Sequence, residues 1–137
     1  MIKVLAAGTA AFSLIGGAAR AAPSPAYAQV KALGAAYDRC VQNAKTNLAF
    51  GECGGARLKN GDALLNATWK RVYARMKGSS KASLLTEQRL WIAYKDRSCQ
   101  FWLNDSGREG QVVQYPLCRA AVIESRIQIL AALDSTP

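Results

Sequence analysis

Four cysteines are the residues best able to do chemistry in this 137-residue chain. They are Cys40, Cys53, Cys99 and Cys118. No two of them form a Cys-x-x-Cys pair, which argues against a redox dithiol or a zinc ribbon. The N-terminus predicts that the protein is exported. An even number of cysteines in a small exported domain predicts two disulfide bonds. We therefore expect structural disulfides and no reactive thiol.

Histidine is absent from the sequence, and its absence excludes much of enzyme chemistry. Ser-His-Asp and Cys-His nucleophilic sites need an imidazole base, and many zinc sites need an imidazole ligand. Asp105 and Glu109 are the one close acidic pair in a predicted loop, but a glycosidase holds its two carboxylates on a rigid cleft. The sequence therefore predicts no catalytic residue, no metal ion, no cofactor and no enzymatic activity.

Hydrophobic periodicity places most of the chain in helices. Apolar side chains recur every three or four positions over 56–77 and again over 82–103, with a tight turn at 78–80 between them. A shorter helical pattern covers 29–50, and a third helix is expected to begin at Pro116. We predict an all-α fold: a small disulfide-bonded helical bundle with two long antiparallel helices, a C-terminal helix and a short N-terminal helical segment.

Two stretches are expected to be irregular. Gly51, Gly54 and Gly55 should loosen the chain between the N-terminal segment and the first long helix. Residues 103–115 contain glycines and polar side chains, which indicate a loop.

The predicted hairpin leaves the disulfide pairing open. The local pairs Cys40–Cys53 and Cys99–Cys118 would close short loops and stabilise the fold by about 3 kcal/mol each. However, antiparallel helices bring all four cysteines toward the end opposite the tight turn. Crossed pairings are therefore also compatible with the sequence.

The first 28 residues predict a cleaved secretory signal peptide. Lys3 precedes an uncharged apolar run from Val4 to Ile15, which falls short of the roughly 20 apolar residues of a membrane span. Two small-x-small sites follow, and a cut after Ala28 is preferred to a cut after Ala21. The mature chain would be one domain over 29–137, periplasmic or secreted from a bacterium, with no membrane span.

Polar residues interrupt the apolar stripes and are expected to form a buried network that fixes helix register. They are Asp62, Asn66, Gln88, Asp96 and Arg126. A polar ligand site inside the bundle is the alternative. Because a buried carboxylate needs a partner, we predict that Asp96 pairs with Arg126. Three tryptophans on the same stripes are expected to pack in the core: Trp69, Trp91 and Trp102.

Two surface features are candidate partner sites. The chain has 18 Lys and Arg against 9 Asp and Glu, and several cations surround the turn between the long helices. This basic face is either solvated or binds an anionic envelope polymer. It consists of Lys70, Arg71, Arg75, Lys77 and Lys81. The loop between Cys99 and Cys118 is either a plain connection or docks into another protein's cleft. Its contact residues would be Asn104, Asp105, Arg108 and Glu109.

Three sequence patches together resemble the LprI-like lysozyme-inhibitor family of bacterial exported proteins. The first is an Asp-x-x-Leu-Asn-x-x-aromatic pattern over 62–69. The second is a Gln-x-x-Trp-Ile-x-aromatic-basic-Asp-x-x-Cys pattern over 88–99, and the third is Cys118 with Arg126 eight positions later. The resemblance covers about residues 38–133. It implies an exported helical domain that inhibits lysozyme.

Two functions are compatible with these features. The first is an exported, non-enzymatic binding protein that inhibits a peptidoglycan hydrolase of the lysozyme type. Charge opposes it, because animal lysozymes are generally cationic and this chain carries a formal net charge of +9. The alternative is an envelope-interaction domain that binds anionic cell-wall or outer-membrane components through the basic face. Nucleic acid is not an expected partner, because the sequence has no recognisable nucleic-acid-binding motif.

Overall fold

The computed structural model describes residues 25–104 and 106–134 of the chain. Four long helices make up most of this part: α1 (Pro25–Asn43), α2 (Asn47–Arg75), α3 (Gly78–Arg97) and α4 (Tyr115–Asp134). Between α3 and α4 lie a 3₁₀ turn (Gln100–Leu103), a single α-helical turn (Gly107–Glu109) and a π-helical turn (Gly110–Gln114). The all-α prediction is confirmed, since no strand occurs in the described part of the chain. Most of the predicted signal peptide lies outside the described residues.

The prediction that glycines loosen the chain after residue 50 is wrong. Helix α2 begins earlier, after Thr46, whose hydroxyl oxygen accepts a hydrogen bond from the backbone N–H of Ala49 at 3.2 Å. The helix then continues without a break through Gly51, Gly54, Gly55 and Gly61. Each glycine costs a helix about 1 kcal/mol relative to alanine, so tertiary packing must offset that cost.

Two of these glycines allow α2 and α4 to pack closely. A Cβ atom on Gly54 would lie 2.8 Å from Cβ of Pro116, and one on Gly61 would lie 3.4 Å from Cγ2 of Ile123. The same sequence interval separates both pairs, so α2 and α4 run parallel in a constant register. This is the most extensive helix–helix contact of the described fold. Helix α3, which follows α2 through the tight turn, packs less closely on it.

The hydrophobic core lies between α2 and α4 and is closed by α1 and α3. Its largest fully buried apolar side chains are Val72, Ile123, Ile127 and Leu130. Helix α1 adds Ala26 and Val30, and α3 adds Leu84. Trp69 and Trp91 pack against this cluster, whereas Trp102 lies outside it. None of the described helices has the length and apolar character needed to cross a membrane.

The burial of Ala26 bears on the predicted leader. Only 2% of its surface is exposed, because the first turn of α1 packs onto the core. A cut after Ala28 would remove Ala26 from the core, whereas a cut after Ala21 would retain it.

Positive backbone φ angles set both ends of α3. Gly78 has a φ of +54°, which glycine adopts at little cost, and the chain reverses there directly after α2. Helix α3 therefore begins earlier than the expected residue, Ala82. After Arg97, Cys99 adopts a φ of +68° and turns the chain into the 3₁₀ turn.

The prediction of a loop over 103–115 is also wrong, because most of this stretch is helical. Val112 and Val113 lie in the π-helical turn. Gly110 is required by packing, since a Cβ atom there would lie 2.7 Å from the backbone oxygen of Trp102. Gly110 therefore marks a close contact between two segments, and the backbone around it remains regular.

Candidate functional site

Both disulfides lie at one end of the molecule. Cys40 is bonded to Cys53, which joins α1 to α2, and Cys99 is bonded to Cys118, which joins the end of α3 to α4. The close contact between the first halves of α2 and α4 brings the two bonds together, and we call this end, which holds the four cysteines, the disulfide pole. Of the pairings that the sequence left open, the structure contains the two local ones.

The segment between the bonded Cys99 and Cys118 presents several side chains at the disulfide pole. We call residues 100–114 the tethered segment. Asn104, Arg108 and Glu109 are exposed on it, while Asp105 lies outside the described residues. Phe101, which the sequence did not single out, is 61% exposed, and its ring centroid lies 5.0 Å from that of Trp102. An aromatic ring and charged groups thus share a backbone that is held at both ends.

A cleft of about 420 Å³ opens beside the tethered segment, between α1, the start of α2 and the π-helical turn. Glu109 is the one charged residue among the described lining residues, and we call this cleft the Glu109 cleft. The other lining residues are Tyr37, Val41, Asn47, Phe50 and Val113. Of this set, the sequence selected only Glu109 as a contact residue. Tyr37 and Val41 belong to the apolar stripe of α1. The sequence of this stripe does not indicate that part of it lines an open cleft instead of the core.

An ion pair between Arg57 and Glu124, which the sequence did not predict, lies behind the cleft. Nε and Nη2 of Arg57 donate hydrogen bonds to the two carboxylate oxygens of Glu124, each at 2.8 Å. The Arg57 guanidinium also lies 5.3 Å from the centroid of the Tyr37 ring. The only sequence signal was Glu124 itself, a charged residue between Ala120 and Ile127 on the apolar stripe of α4.

Two pKa values report on this arrangement. The hydrogen bond to Glu124 raises the pKa of Arg57, so the guanidinium stays charged. Burial raises the pKa of the Tyr37 phenol, even though the nearby Arg57 charge acts in the opposite direction. Tyr37 is therefore a neutral wall of the cleft at physiological pH.

The predicted pairing of Asp96 with Arg126 is wrong. Arg126 is 3% exposed, and its Nε donates a hydrogen bond to Oε1 of Gln88 at 2.9 Å. Its Nη1 donates to the carboxylate of Glu87, and its guanidinium lies 5.8 Å from the centroid of the Trp91 ring. Its remaining nitrogen, Nη2, is buried and has no hydrogen-bond partner among the residues that the structure describes.

The other three residues of the expected buried network are exposed. Asp62 and Asn66 lie on the outer side of α2. Oδ1 of Asp96 accepts a hydrogen bond from Nζ of Lys95 at 2.8 Å. The same oxygen lies 3.6 Å from Nη2 of Arg119. The hydrogen bond from Lys95 holds the pKa of Asp96 below its usual value. Only Gln88 and Arg126 of the five residues are therefore buried together, and no ligand site inside the bundle is formed by the set.

The basic face surrounds the turn between α2 and α3, at the end of the molecule opposite the disulfide pole. Arg71 and Arg75 share the carboxylate of Asp134, with nitrogen–oxygen distances of 2.6 Å. The hydrogen bond from Arg71 lowers the pKa of Asp134. Nζ of Lys81 lies 4.6 Å from the centroid of the Tyr73 ring. Lys70 and Lys77 are exposed and make no ion pair within the described part of the chain.

No group of three or more Cys, Asp or Glu residues among the described side chains could hold a metal ion. The features that remain are the tethered segment and the Glu109 cleft at one end, and the basic face at the other.

One known protein family matches most of the chain. The model of the family described as lysozyme inhibitor LprI matches residues 38–130. The chain belongs to the LprI family. The match includes both disulfides, the five residues of the basic face, and every described residue of the tethered segment and the Glu109 cleft except Tyr37. No curated protein and no solved structure matches the chain. For this LprI member, the predicted resemblance is confirmed, and the family name indicates a lysozyme-inhibitor-like role.

Proposed function

We propose that the protein is an exported, non-enzymatic inhibitor of a peptidoglycan hydrolase of the lysozyme type. The observation that carries this proposal is the LprI family match over residues 38–130. The two disulfides support an oxidising compartment, either the periplasm or the medium outside the cell. The inhibitor would act by covering the hydrolase, with no chemical step of its own.

The disulfide pole is the surface that we assign to the hydrolase. Leu48 is 72% exposed and Phe101 is 61% exposed there, and large apolar side chains are common anchors of protein interfaces. The disulfides hold both neighbouring segments in place, which lowers the entropy lost on binding.

The positive net charge opposes binding of a cationic lysozyme, but this charge is unevenly distributed over the surface. Among the described residues, the exposed charges near Cys40–Cys53 and in the tethered segment balance: Asp38, Glu52 and Glu109 against Arg39, Lys45 and Arg108. Beside Cys99, exposed Asp96 and Arg97 also balance each other. The basic face, in contrast, has five cations and one carboxylate, Asp134. A cationic hydrolase is therefore repelled least by the disulfide pole.

An inhibition titration tests this function. The purified, oxidised protein is titrated against a cationic animal lysozyme and an acidic lysozyme-type hydrolase, at low and physiological salt. We expect saturable inhibition of at least one of them near one-to-one stoichiometry. Phe101→Ala should raise the inhibition constant about tenfold if the ring is an interface anchor. Ile129→Ala, which truncates an exposed side chain of α4, is the matched control and should leave it unchanged.

Binding to an anionic envelope component is the second candidate function. Lys70 and Lys77 favour it, because both are exposed and neither makes an ion pair with a described residue. Such binding would co-sediment the protein with cell-wall or outer-membrane material and would weaken steeply with added salt. Sedimentation that resists salt, or no sedimentation, would count against it.

A further inference from the structure

We propose that the Glu109 cleft binds an arginine or lysine side chain presented by a partner protein. The proposal rests on the proposed function in so far as the partner is the hydrolase. It goes further by naming the pocket, the chemical class of its occupant and the group that recognises it.

The lining of the cleft fits a long cationic side chain. Its walls are the rings of Tyr37 and Phe50 and the side chains of Val41 and Val113, which suit a methylene stem. Aromatic faces also attract a cation within about 6 Å. The volume, about 420 Å³, is within the range of pockets that enclose small ligands.

Charge selects the sign of the occupant. Among the described residues, Glu109 is the one charged group in the lining, it is exposed, and it makes no ion pair. A carboxylate at the rim of an apolar cleft attracts a cation more strongly than the same carboxylate on an open surface, because the walls displace water. An anionic occupant would be repelled by this carboxylate, and a neutral one would gain nothing from its charge.

The cleft is formed before any partner arrives. The Tyr37 ring is held by Arg57, which is fixed in turn by two hydrogen bonds to Glu124. The Cys40–Cys53 bond fixes α1 against α2. On the other side, the contact of Gly110 with Trp102 leaves no room for a side chain, so the π-helical turn that carries Val113 is closely packed. Little ordering entropy is lost when such a cleft is filled.

The direct test uses a side-chain probe and no hydrolase. N-acetyl-arginine methylamide is titrated into the isotope-labelled, oxidised protein and followed by nuclear magnetic resonance. We expect saturable shifts of the Tyr37, Phe50 and Val113 signals. The neutral analogue N-acetyl-citrulline methylamide has nearly the same shape and should bind at least twofold more weakly.

Two variants sharpen this test. Glu109→Gln removes the charge and keeps the shape, and it should weaken binding of the arginine probe about two- to fivefold. Asp62→Asn makes the same change in net charge on the exposed side of α2, away from the cleft, and should have no effect. Equal binding of the two probes, absence of shifts at the cleft, or equal effects of the two variants would overturn the proposal.

The same variants separate this proposal from the proposed function. If the arginine probe binds the cleft but no hydrolase is inhibited, the cleft assignment stands and the inhibitor function fails. If a hydrolase is inhibited equally well by the wild type and by Glu109→Gln, and the probe does not bind, the function stands and the cleft assignment fails.

Discussion

At the scale of single residues, Arg126 combines near-complete burial with incomplete hydrogen bonding among the described residues. Its guanidinium is almost fully buried, it has one neutral partner in Gln88, and its Nη2 has none. Its charged partner, Glu87, remains largely exposed to water. Buried ion pairs often cost as much in desolvation as they return, so this group is expected to specify register more than to add stability.

A double-mutant cycle tests that view. Arg126→Met should destabilise the protein by about 1–3 kcal/mol, because it leaves the buried amide of Gln88 without a partner. Gln88→Leu should cost a similar amount by leaving Nε of Arg126 without one. The double variant should recover most of the loss, since both polar groups are then gone. Urea unfolding followed by circular dichroism measures all four proteins. A double variant less stable than either single variant would show that the pair is net stabilising.

The residues of this network could be only partly predicted from the sequence. The sequence alone identifies a polar residue on an apolar stripe, such as Gln88 or Arg126. The partner of that residue depends on the register of two helices, which the sequence does not contain. The Cys99–Cys118 bond sets that register: α3 and α4 run antiparallel from the bond, which places residue 126 beside 88 and residue 119 beside 96. Because the sequence did not determine the disulfide pairing, it did not determine whether Arg126 would lie beside Asp96 or beside Gln88.

At the scale of elements, the glycines of α2 have two different roles. Gly54 and Gly61 make the contact with α4, whereas Gly55 has no atom within 4 Å of a Cβ placed on it. The sequence correctly predicted the number and order of the helices. It failed at Gly51–Gly55 and at 103–115 because glycine marks both an irregular chain and a close helix contact. The contact partner of Gly54 is Pro116, far along the chain, and local patterns do not include it.

Alanine substitutions distinguish the two roles. Gly54→Ala should destabilise the protein by about 1–3 kcal/mol, because the new Cβ clashes with the ring of Pro116. Gly55→Ala should stabilise it by about 0.5–1 kcal/mol through helix propensity alone, since the site is open. Thermal and urea unfolding measure both variants. A stabilising Gly54→Ala would mean that α2 and α4 are farther apart than the structure places them.

At the scale of the whole molecule, the two ends differ in charge, and this difference relates the two candidate functions. The basic face suits an anionic envelope polymer, and the disulfide pole suits a protein. Helix α2 has 29 residues and so is about 44 Å long, which separates the two ends by several Debye lengths at physiological salt. If both proposed functions hold, that distance would let one end bind envelope material while the other remains open to a hydrolase.

Two charge-reversal pairs locate the end that meets the hydrolase. Arg39→Glu/Lys45→Glu at the disulfide pole and Lys70→Glu/Lys77→Glu at the basic face change the net charge equally, and all four residues are exposed. If the disulfide pole docks, the first pair should raise the association rate constant with a cationic lysozyme about tenfold at low salt, and the second much less, because screening weakens distant charges. Stopped-flow association kinetics measure both. Binding to anionic envelope material should fall only for the second pair. Equal rate increases for both pairs would mean that net charge alone governs the encounter, and a larger increase for the second would assign the hydrolase to the basic face.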